Sequence, residues 1–167
     1  MPAPPKTGTP PISRSRLFAA LAIIVALALD IAVKNLFLAH AMDWNGKAIV
    51  PGLLDLHYAW NHGVSFSLFW QNNGTGSTLL SVLLSIIIIG MAVAAFRTRK
   101  PLLATALGLI VGGALGNVAD RYQHGGVFDF LVVRLGSHPL FICNSADIFI
   151  SLGVVLLVWD AFFAKPA

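Results

Sequence analysis

The sequence of 167 residues contains no glutamate, a single cysteine and few charged side chains. All seven acidic residues are aspartates, and the HExxH zinc motif is absent. The lone Cys143 excludes an internal disulfide and any metal site built from several cysteines. Charged residues make up 11% and hydrophobic residues 57%, which leaves too little polar surface for a soluble globule. The basic residues behind the net charge of +4 are too few and scattered for a nucleic-acid surface.

Long apolar runs indicate a membrane protein. A helix of about 20 residues crosses the hydrocarbon core of a bilayer. Four segments approach this length: Leu17 to about Leu38, about Leu79 to Phe96, about Leu102 to Val118, and about Ile148 to Phe163. The last two are short, so we expect them to extend into the neighbouring polar motifs. The prediction is one all-α domain over residues 17–167 with four transmembrane helices.

The N-terminal residues 1–16 are rich in proline, serine and threonine, which predicts a disordered cytoplasmic tail. A cleavable signal peptide is the alternative for this tail and the apolar run after it. Basic residues indicate the topology, because cytoplasmic loops carry an excess of lysine and arginine. An even number of spans places most of them on one side: Lys6, Arg14, Arg16, Arg97, Arg99, Lys100 and Lys165. Both termini are therefore expected in the cytoplasm.

The first outward connection, about residues 40–76, has a strand pattern. From Leu54 to Asn61 apolar and other residues alternate, which is typical of a strand with one apolar face. A shorter strand, Lys47 to Val50, lies between the turn signals Asn45-Gly46 and Pro51-Gly52. We expect a small β-element on the outer membrane surface. The second outward connection, about residues 119–147, is predicted to be a loop pressed against the membrane.

Two features of the apolar segments need an explanation. Charged groups in a membrane helix cost about 2.5–3.5 kcal/mol each on insertion scales. Asp30 and Lys34 lie four residues apart, share one helix face and can pair, either as a self-neutralising pair at the outer interface or as part of a site. Gly108, Gly112 and Gly116 recur every four residues, a small-residue stripe that favours close helix packing.

The polar motifs at the outer ends of the third and fourth segments carry candidate chemistry. Asn117 and Arg121 lie one helical turn apart, and the guanidinium needs an acceptor, whereas Asp120 is expected to point elsewhere. Asp129 follows in the loop. Asp147 opens the fourth segment, where a carboxylate is favoured as a helix N-cap.

Asp129 and Asp147 both fall at the outer membrane boundary, one at each end of a short connection. Two carboxylates held close share one proton, because both cannot easily ionise. The ionised carboxylate can then take a proton from water while the protonated one donates to a scissile carbonyl. If the two are close, this pair favours peptide hydrolysis without a covalent intermediate.

Other chemistries stay open at this point. Cys143 could be a thiol nucleophile with His124 or His138. The outer-loop histidines could hold zinc, although none has helical ligand spacing: His40, His57, His62, His124 and His138. Asp30 and Lys34 could form the relay of a transporter or channel, although a relay would need ionisable residues at mid-membrane. The glycine stripe could serve a non-enzymatic assembly partner.

Taken in order, the polar motifs resemble those of the lipoprotein signal peptidase (signal peptidase II) family, over the whole chain except the N-terminal tail. The matching motifs are Asp30-x-x-x-Lys34, Asn61-x-Gly63-x-Ser65-Phe66, Gly112-Gly113-Ala114-Leu115-Gly116-Asn117-x-x-Asp120-Arg121, Val127-x-Asp129-Phe130 and Asn144-x-Ala146-Asp147. The sequence departs from the family pattern at Ile31, His138 and Cys143. These departures leave open the packing around Asp147 and the substrate preference.

The resemblance implies four transmembrane helices with a periplasmic β-cradle and a short membrane-surface helix. It implies a monomeric aspartic endopeptidase of the bacterial inner membrane, with its site at the periplasmic face. The substrate would be a prolipoprotein, cut just before its diacylglyceryl-modified cysteine to release the signal peptide. The family uses no metal or other cofactor and is inhibited by the cyclic peptide globomycin.

The resemblance also implies roles for residues of this chain. The catalytic pair maps to Asp129 and Asp147. The residues that line or brace the site map to Asp30, Lys34, Asn61, Gly63, Asn117, Asp120, Arg121 and Asn144. The loop over residues 61–69 is a candidate for closing over the site and excluding water.

Overall fold

A computed structural model describes residues 14–63 and 75–163, with the side chains of the second range described from residue 81. The elements are α1 (Arg14–Ala39), α2 (Ala41–Trp44), β1 (Ala48–Val50), β2 (Leu54–Asn61), α3 (Thr75–Arg97), α4 (Pro101–His124), β3 (Val127–Leu135), β4 (His138–Cys143) and α5 (Ser145–Phe163). Most of the predicted tail, the motif residues Ser65 and Phe66 with most of the predicted closing loop, and Lys165 lie outside the described residues.

Among the described residues, α1, α4 and α5 are long and apolar enough to cross a membrane. The stretch Ser81–Arg97 of α3 is apolar but shorter, so the fourth span stays a prediction. The chain is thus a multi-pass membrane protein. As expected, α4 and α5 extend beyond the apolar runs into the polar motifs. α4 ends at the left-handed Gly125, with φ of 74°, whose N–H bonds the carbonyl of Arg121.

Helix α4 packs against α1, α3 and α5 through small side chains. Ala19 of α1 and Ala104 of α4 are completely buried, and a Cβ on Gly112 would lie 2.6 Å from the carbonyl oxygen of Ile23. Many large side chains of α1 point outward instead; Ile24 is 62% exposed. Close backbone contact inside and aliphatic side chains outside are typical of helices that pack in lipid. The glycine stripe therefore packs α4 against α1.

The two ends of the bundle differ in their polar contacts. At one end the Ser15 hydroxyl donates to the carbonyl of Arg99 at 2.8 Å, and Lys100 Nζ lies 3.6 Å from Asp160 Oδ2. These contacts join the start of α1, the α3–α4 connection and the end of α5. The basic residues at the start of α1 and in the α3–α4 connection therefore share one end, as the sequence predicted. The buried Asp30 and Lys34 lie toward the opposite end of α1.

The four strands form one antiparallel sheet in the order β1-β2-β3-β4. β2 is confirmed with its predicted bounds, and β1 begins at Ala48. The predicted single apolar face of β2 is wrong, because a register shift between Leu56 and Ala59 breaks the alternation. Leu56 is accordingly buried and Trp60 is 40% exposed.

The second outward connection was predicted to be a loop, and this is wrong. Its first part continues α4, and the rest forms the β3–β4 hairpin, which turns at Gly136 with φ of 61°. The start of β3 is buried over consecutive residues, so it lacks the alternation from which strands are recognised.

An aromatic cluster ties the sheet to the end of α1. The rings of Phe37 and Phe130 stack with centroids 4.2 Å apart, and Trp44 of the short helix α2 packs edge-on against Phe37 at 5.2 Å. Leu56 and Phe128 complete the buried cluster. The cluster fixes β3, and with it the adjacent Asp129, beside the helix ends.

Candidate active site

Asp129 is positioned by β3 and held by two asparagines. Its Oδ2 accepts a hydrogen bond from Nδ2 of Asn61 at 3.0 Å, and its Oδ1 accepts one from Nδ2 of Asn144 at 2.6 Å. Asn61 reaches it because β2 runs antiparallel to β3, with Ala59 opposite Asp129. The residue is buried, with 2% of its surface exposed. Both of its oxygens thus receive neutral amide donors.

Asp147 is the third residue of α5 and forms a capping box with Asn144. The Asp147 N–H donates to Asn144 Oδ1 at 3.2 Å, and the Asn144 N–H donates to Asp147 Oδ2 at 3.1 Å. The N-cap is therefore Asn144, and the prediction of Asp147 as the N-cap is wrong. The remaining oxygen, Asp147 Oδ1, accepts a bond from Nδ2 of Asn117 on α4 at 3.2 Å.

The two aspartates line one cavity of about 180 Å³. The β3–β4 hairpin returns the chain beside β3, with Cys143 opposite Leu131, so that α5 begins next to Asp129. Asn144 contacts both carboxylates, one through its side-chain amide and the other through its backbone N–H. The structure therefore brings together the two carboxylates that the sequence separates by a short connection.

A buried charge cluster lies behind the pair. Lys34 Nζ lies 2.9 Å from Asp30 Oδ2 and 2.9 Å from Asp120 Oδ2, and the Ser145 hydroxyl donates to Asp30 Oδ1 at 2.6 Å. Asp30 and Lys34 are 0% and 3% exposed, so the pair is buried among helices and does not reach out to the interface. Gly116 is required here, because a Cβ at that position would overlap the Asp30 carboxylate.

Arg121 connects α4 to the end of β2 through backbone carbonyls. It donates to the carbonyl of Asn117 at 3.2 Å and to that of Gly63 at 3.1 Å, while the Gly63 N–H donates to Asn61 Oδ1 at 3.1 Å. The expected acceptor of the guanidinium is thus main chain. Asp120 indeed points elsewhere: it pairs with Lys34 and accepts the N–H of Phe128 at 3.3 Å.

All ten predicted site residues belong to one connected network of these bonds. Ser145 also belongs to it, which could not be predicted from the sequence beyond its place next to Asn144. The apolar side of the cavity was likewise not predicted, because its members look like ordinary core residues: Leu84, Ile88, Ala114, Val127, Ile142 and Ile150. The cavity therefore joins a polar wall with two carboxylates to an apolar wall.

Burial dominates the electrostatics of the cavity. It raises the pKa of Asp129 above the usual range for a carboxyl group; the amides of Asn144 and Asn61 offset part of this effect, and the charge of Asp147 adds to it. Burial, with the neighbouring charges of Asp147 and Asp129, raises the pKa of Cys143 to about 11. The thiol is therefore neutral near pH 7, which argues against Cys143 as a nucleophile.

The zinc hypothesis receives no support from the part of the chain that the structure describes. No three histidine, cysteine or acidic side chains come together there in a way that could hold a metal ion. Two of the outer-loop histidines contact other groups: His40 stacks on Trp44 with ring centroids 4.4 Å apart, and His62 Nδ1 lies 3.0 Å from the carbonyl oxygen of Gly125.

Comparison with known proteins identifies relatives over most of the chain. The lipoprotein signal peptidase of Methylorubrum extorquens (strain PA1) is 41% identical over 147 residues, covering 87% of this chain and 86% of that protein. The lipoprotein signal peptidase of Rhodopseudomonas palustris (strain TIE-1) is 35% identical over 153 residues, covering 88% and 93%. The protein of the same description from Beijerinckia indica is 38% identical over 154 residues, covering 91% and 92%.

The fold is also known. One solved structure, described as a bacterial membrane enzyme, superposes with a TM-score of 0.72 at 22% identity, covering 88% of this chain and 94% of that one. A second structure of the same description gives a TM-score of 0.71 at 24% identity, covering 89% and 92%. The family model described as Signal peptidase (SPase) II matches residues 22–163. The chain therefore belongs to the signal peptidase II family.

Proposed function

We propose that this protease is an aspartic endopeptidase with Asp129 and Asp147 as its catalytic pair. The family membership makes it an enzyme that removes signal peptides from prolipoproteins. The observation that carries the aspartic mechanism is the shared cavity: both carboxylates line it, and each of their oxygens accepts an N–H. Membership of a peptidase family argues against the transporter and assembly hypotheses.

The chemistry requires one ionised and one protonated carboxyl group. The ionised group takes a proton from the attacking water, and the protonated group donates to the carbonyl oxygen of the scissile bond. Burial raises the pKa of Asp129, which favours the protonated form of that carboxyl group. The amide donors hold the carboxylates in fixed orientations, which lowers the entropic part of the barrier.

The substrate would carry a diacylglyceryl-modified cysteine, and cleavage would fall just before that residue. The apolar wall formed by Leu84, Ile88 and Ile150 suits a lipid-linked peptide, because the acyl chains can stay in the bilayer beside the cavity. Such an anchor holds the scissile bond at the depth of the two carboxylates. A globomycin-type cyclic peptide would inhibit by filling the same cavity.

The membrane arrangement is part of the proposal. The protein would cross the inner membrane four times as a monomer, with both termini in the cytoplasm, the tail of residues 1–16 outside the membrane domain and the site at the periplasmic face. The basic residues Arg16, Arg99 and Lys100 gather at the bundle end opposite Asp30 and Lys34, which supports this orientation.

The test is whether the purified protein in detergent cleaves a synthetic prolipoprotein peptide that carries a diacylglyceryl-modified cysteine. We expect Asp129→Asn and Asp147→Asn each to lower kcat by about 100- to 10,000-fold, because each removes an acid–base group. Asp43→Asn, at an exposed position on α2, is the matched control and should keep full activity. A folded Asp129→Asn or Asp147→Asn variant with normal activity would refute the catalytic pair. Absence of cleavage by the folded parent would refute the substrate.

A further inference from the structure

Asn117 lies between a cation and one of the two carboxylates. Lys34 Nζ donates to Asn117 Oδ1 at 3.0 Å, and Asn117 Nδ2 donates to Asp147 Oδ1 at 3.2 Å. An ammonium group has donors only, so the amide oxygen is the one end of Asn117 that can face it. The NH₂ group must then face Asp147. The lysine thus determines which end of the amide the carboxylate meets.

The other two asparagines at the site are oriented by neutral groups. The oxygen of Asn61 accepts the backbone N–H of Gly63, and that of Asn144 accepts the backbone N–H of Asp147. Of these three amides, only Asn117 is polarised by a charged donor, which makes its NH₂ a stronger donor to a carboxylate.

We propose that Lys34 is a positioning residue that acts through Asn117 to keep Asp147 as the ionised member of the catalytic pair, with Asp129 holding the proton. This inference rests on the proposed function. The second oxygen of Asp147 supports it, because it accepts the backbone N–H of Asn144 at the start of α5, where the macrodipole favours negative charge. Asp129 lies on a strand and receives side-chain amides alone.

The bond that Lys34 orients through Asn117 affects Asp147 more than the direct charge of Lys34 does. Asp30 and Asp120 both lie 2.9 Å from Lys34 Nζ, so the ammonium charge is balanced locally. The charged and titratable groups around Asp147 are Asp30 and Lys34 on α1, Asp120 and Arg121 on α4, Asp129 on β3 and the neutral Cys143 on β4. The main contribution of Lys34 to Asp147 is therefore the orientation and polarisation of one amide.

A double-mutant cycle on kcat tests this role. We expect Lys34→Met and Asn117→Leu each to lower kcat about 10- to 100-fold with little change in KM, since each removes or releases one donor to a charged group. In the Asn117→Leu background, Lys34→Met should then lower kcat by clearly less than it does in the parent. The acid limb of the kcat/KM profile should move up by about one pH unit in all three variants, because Asp147 loses a donor to its ionised form.

Lys100→Met is the matched control. Lys100 also lies near an aspartate, at 3.6 Å from Asp160, but at the opposite end of the bundle. This variant should leave the acid limb unchanged, and its effects should add to those of Asn117→Leu. If Lys34→Met does not fold, the double variant Asp30→Asn/Lys34→Met takes its place in the cycle, because it leaves no unpaired carboxylate on α1.

The outcomes are separate from those of the proposed function. Additive losses of kcat in the cycle would overturn the positioning role, and so would an acid limb that stays in place in a folded Asn117→Leu variant. In either case, cleavage by the parent protein would leave the peptidase assignment intact. Absence of cleavage by the folded parent protein would instead refute the proposed function.

Discussion

Replacing Gly112 by alanine should separate α1 from α4 and destabilise the protein. A Cβ at this position would lie 2.6 Å from the carbonyl oxygen of Ile23 and 2.7 Å from the Cβ of Ala26. Both atoms belong to rigid parts of α1, one to its backbone and the other to a side chain with no rotamer. The clash can therefore be relieved only if the two helices move apart by several tenths of an ångström.

The magnitude follows from two opposing terms. Overpacking a close helix contact costs about 1–3 kcal/mol. Alanine also gains up to about 1 kcal/mol over glycine in helix propensity. We expect a net loss of up to about 2 kcal/mol in the free energy of unfolding relative to the parent, and of about 1–3 kcal/mol relative to a Gly→Ala change that meets no clash. Because α4 also carries Asn117 and Arg121, one or two turns further on, the shift should lower peptidase activity as well.

Gly90→Ala provides the control, since a Cβ on Gly90 of α3 meets no atom within 4 Å. This variant keeps the propensity gain without the clash, so it should be at least as stable as the parent. The assay is reversible unfolding in mixed detergent micelles, followed by the helical circular dichroism signal, with cleavage measured on the same samples. Equal stability of the Gly112→Ala and Gly90→Ala variants would refute the close α1–α4 contact.

Two further predictions concern the cavity. Burial raises the pKa of Asp129 and the Asn61 amide holds it down in part, so kcat/KM should persist below that raised pKa and fall as the pH rises through it. Asn61→Leu removes this donor to the ionised form and should move the alkaline limb to higher pH; a shift to lower pH would contradict the assignment of the proton to Asp129. Cys143, whose pKa is raised to about 11, should be dispensable, and Cys143→Ala should cleave the peptide at a rate of the same order as the parent. A loss of several orders of magnitude in the folded Cys143→Ala variant would restore the thiol mechanism.

The helices could be predicted because lipid imposes a simple rule on sequence. Apolar runs that approach the required length predicted α1, α4 and α5, and the structure confirms all three as membrane-capable. The positions where α4 and α5 meet their polar motifs were harder to predict. An apolar run ends at the first polar residue, whereas the hydrogen bonding of a helix continues to a capping residue such as Gly125. The short β2 was readable from its alternation alone.

The β3–β4 hairpin and several contact partners could not be read from local sequence. The start of β3 is buried on both faces, so its apolar run does not differ from that of a helix or a buried loop. The role of Asn144 as N-cap and the pairing of Asp120 with Lys34 depend on where distant elements meet. Spacing along the chain gives the face of a helix, but it does not say which other helix packs there.

The asparagines explain how two carboxylates can share a buried cavity and still differ in protonation. A direct ion pair with lysine or arginine would hold a carboxylate ionised and remove it as a proton donor. In the part of the chain that the structure describes, neither Asp129 nor Asp147 forms such a pair. The Lys34 ammonium group instead contacts Asp30, Asp120 and the side-chain oxygen of Asn117.

Arg121 is kept from the pair in the same way, because it donates to the backbone carbonyls of Asn117 and Gly63. Neutral amides then transmit orientation to the carboxylates without fixing their charge. Such an arrangement of amides requires cations that lie close to the site without contacting the carboxylate oxygens of Asp129 and Asp147. An Asn117→Lys substitution, which would place an ammonium directly against Asp147, should therefore harm catalysis more than Asn117→Leu, although it adds a stronger donor.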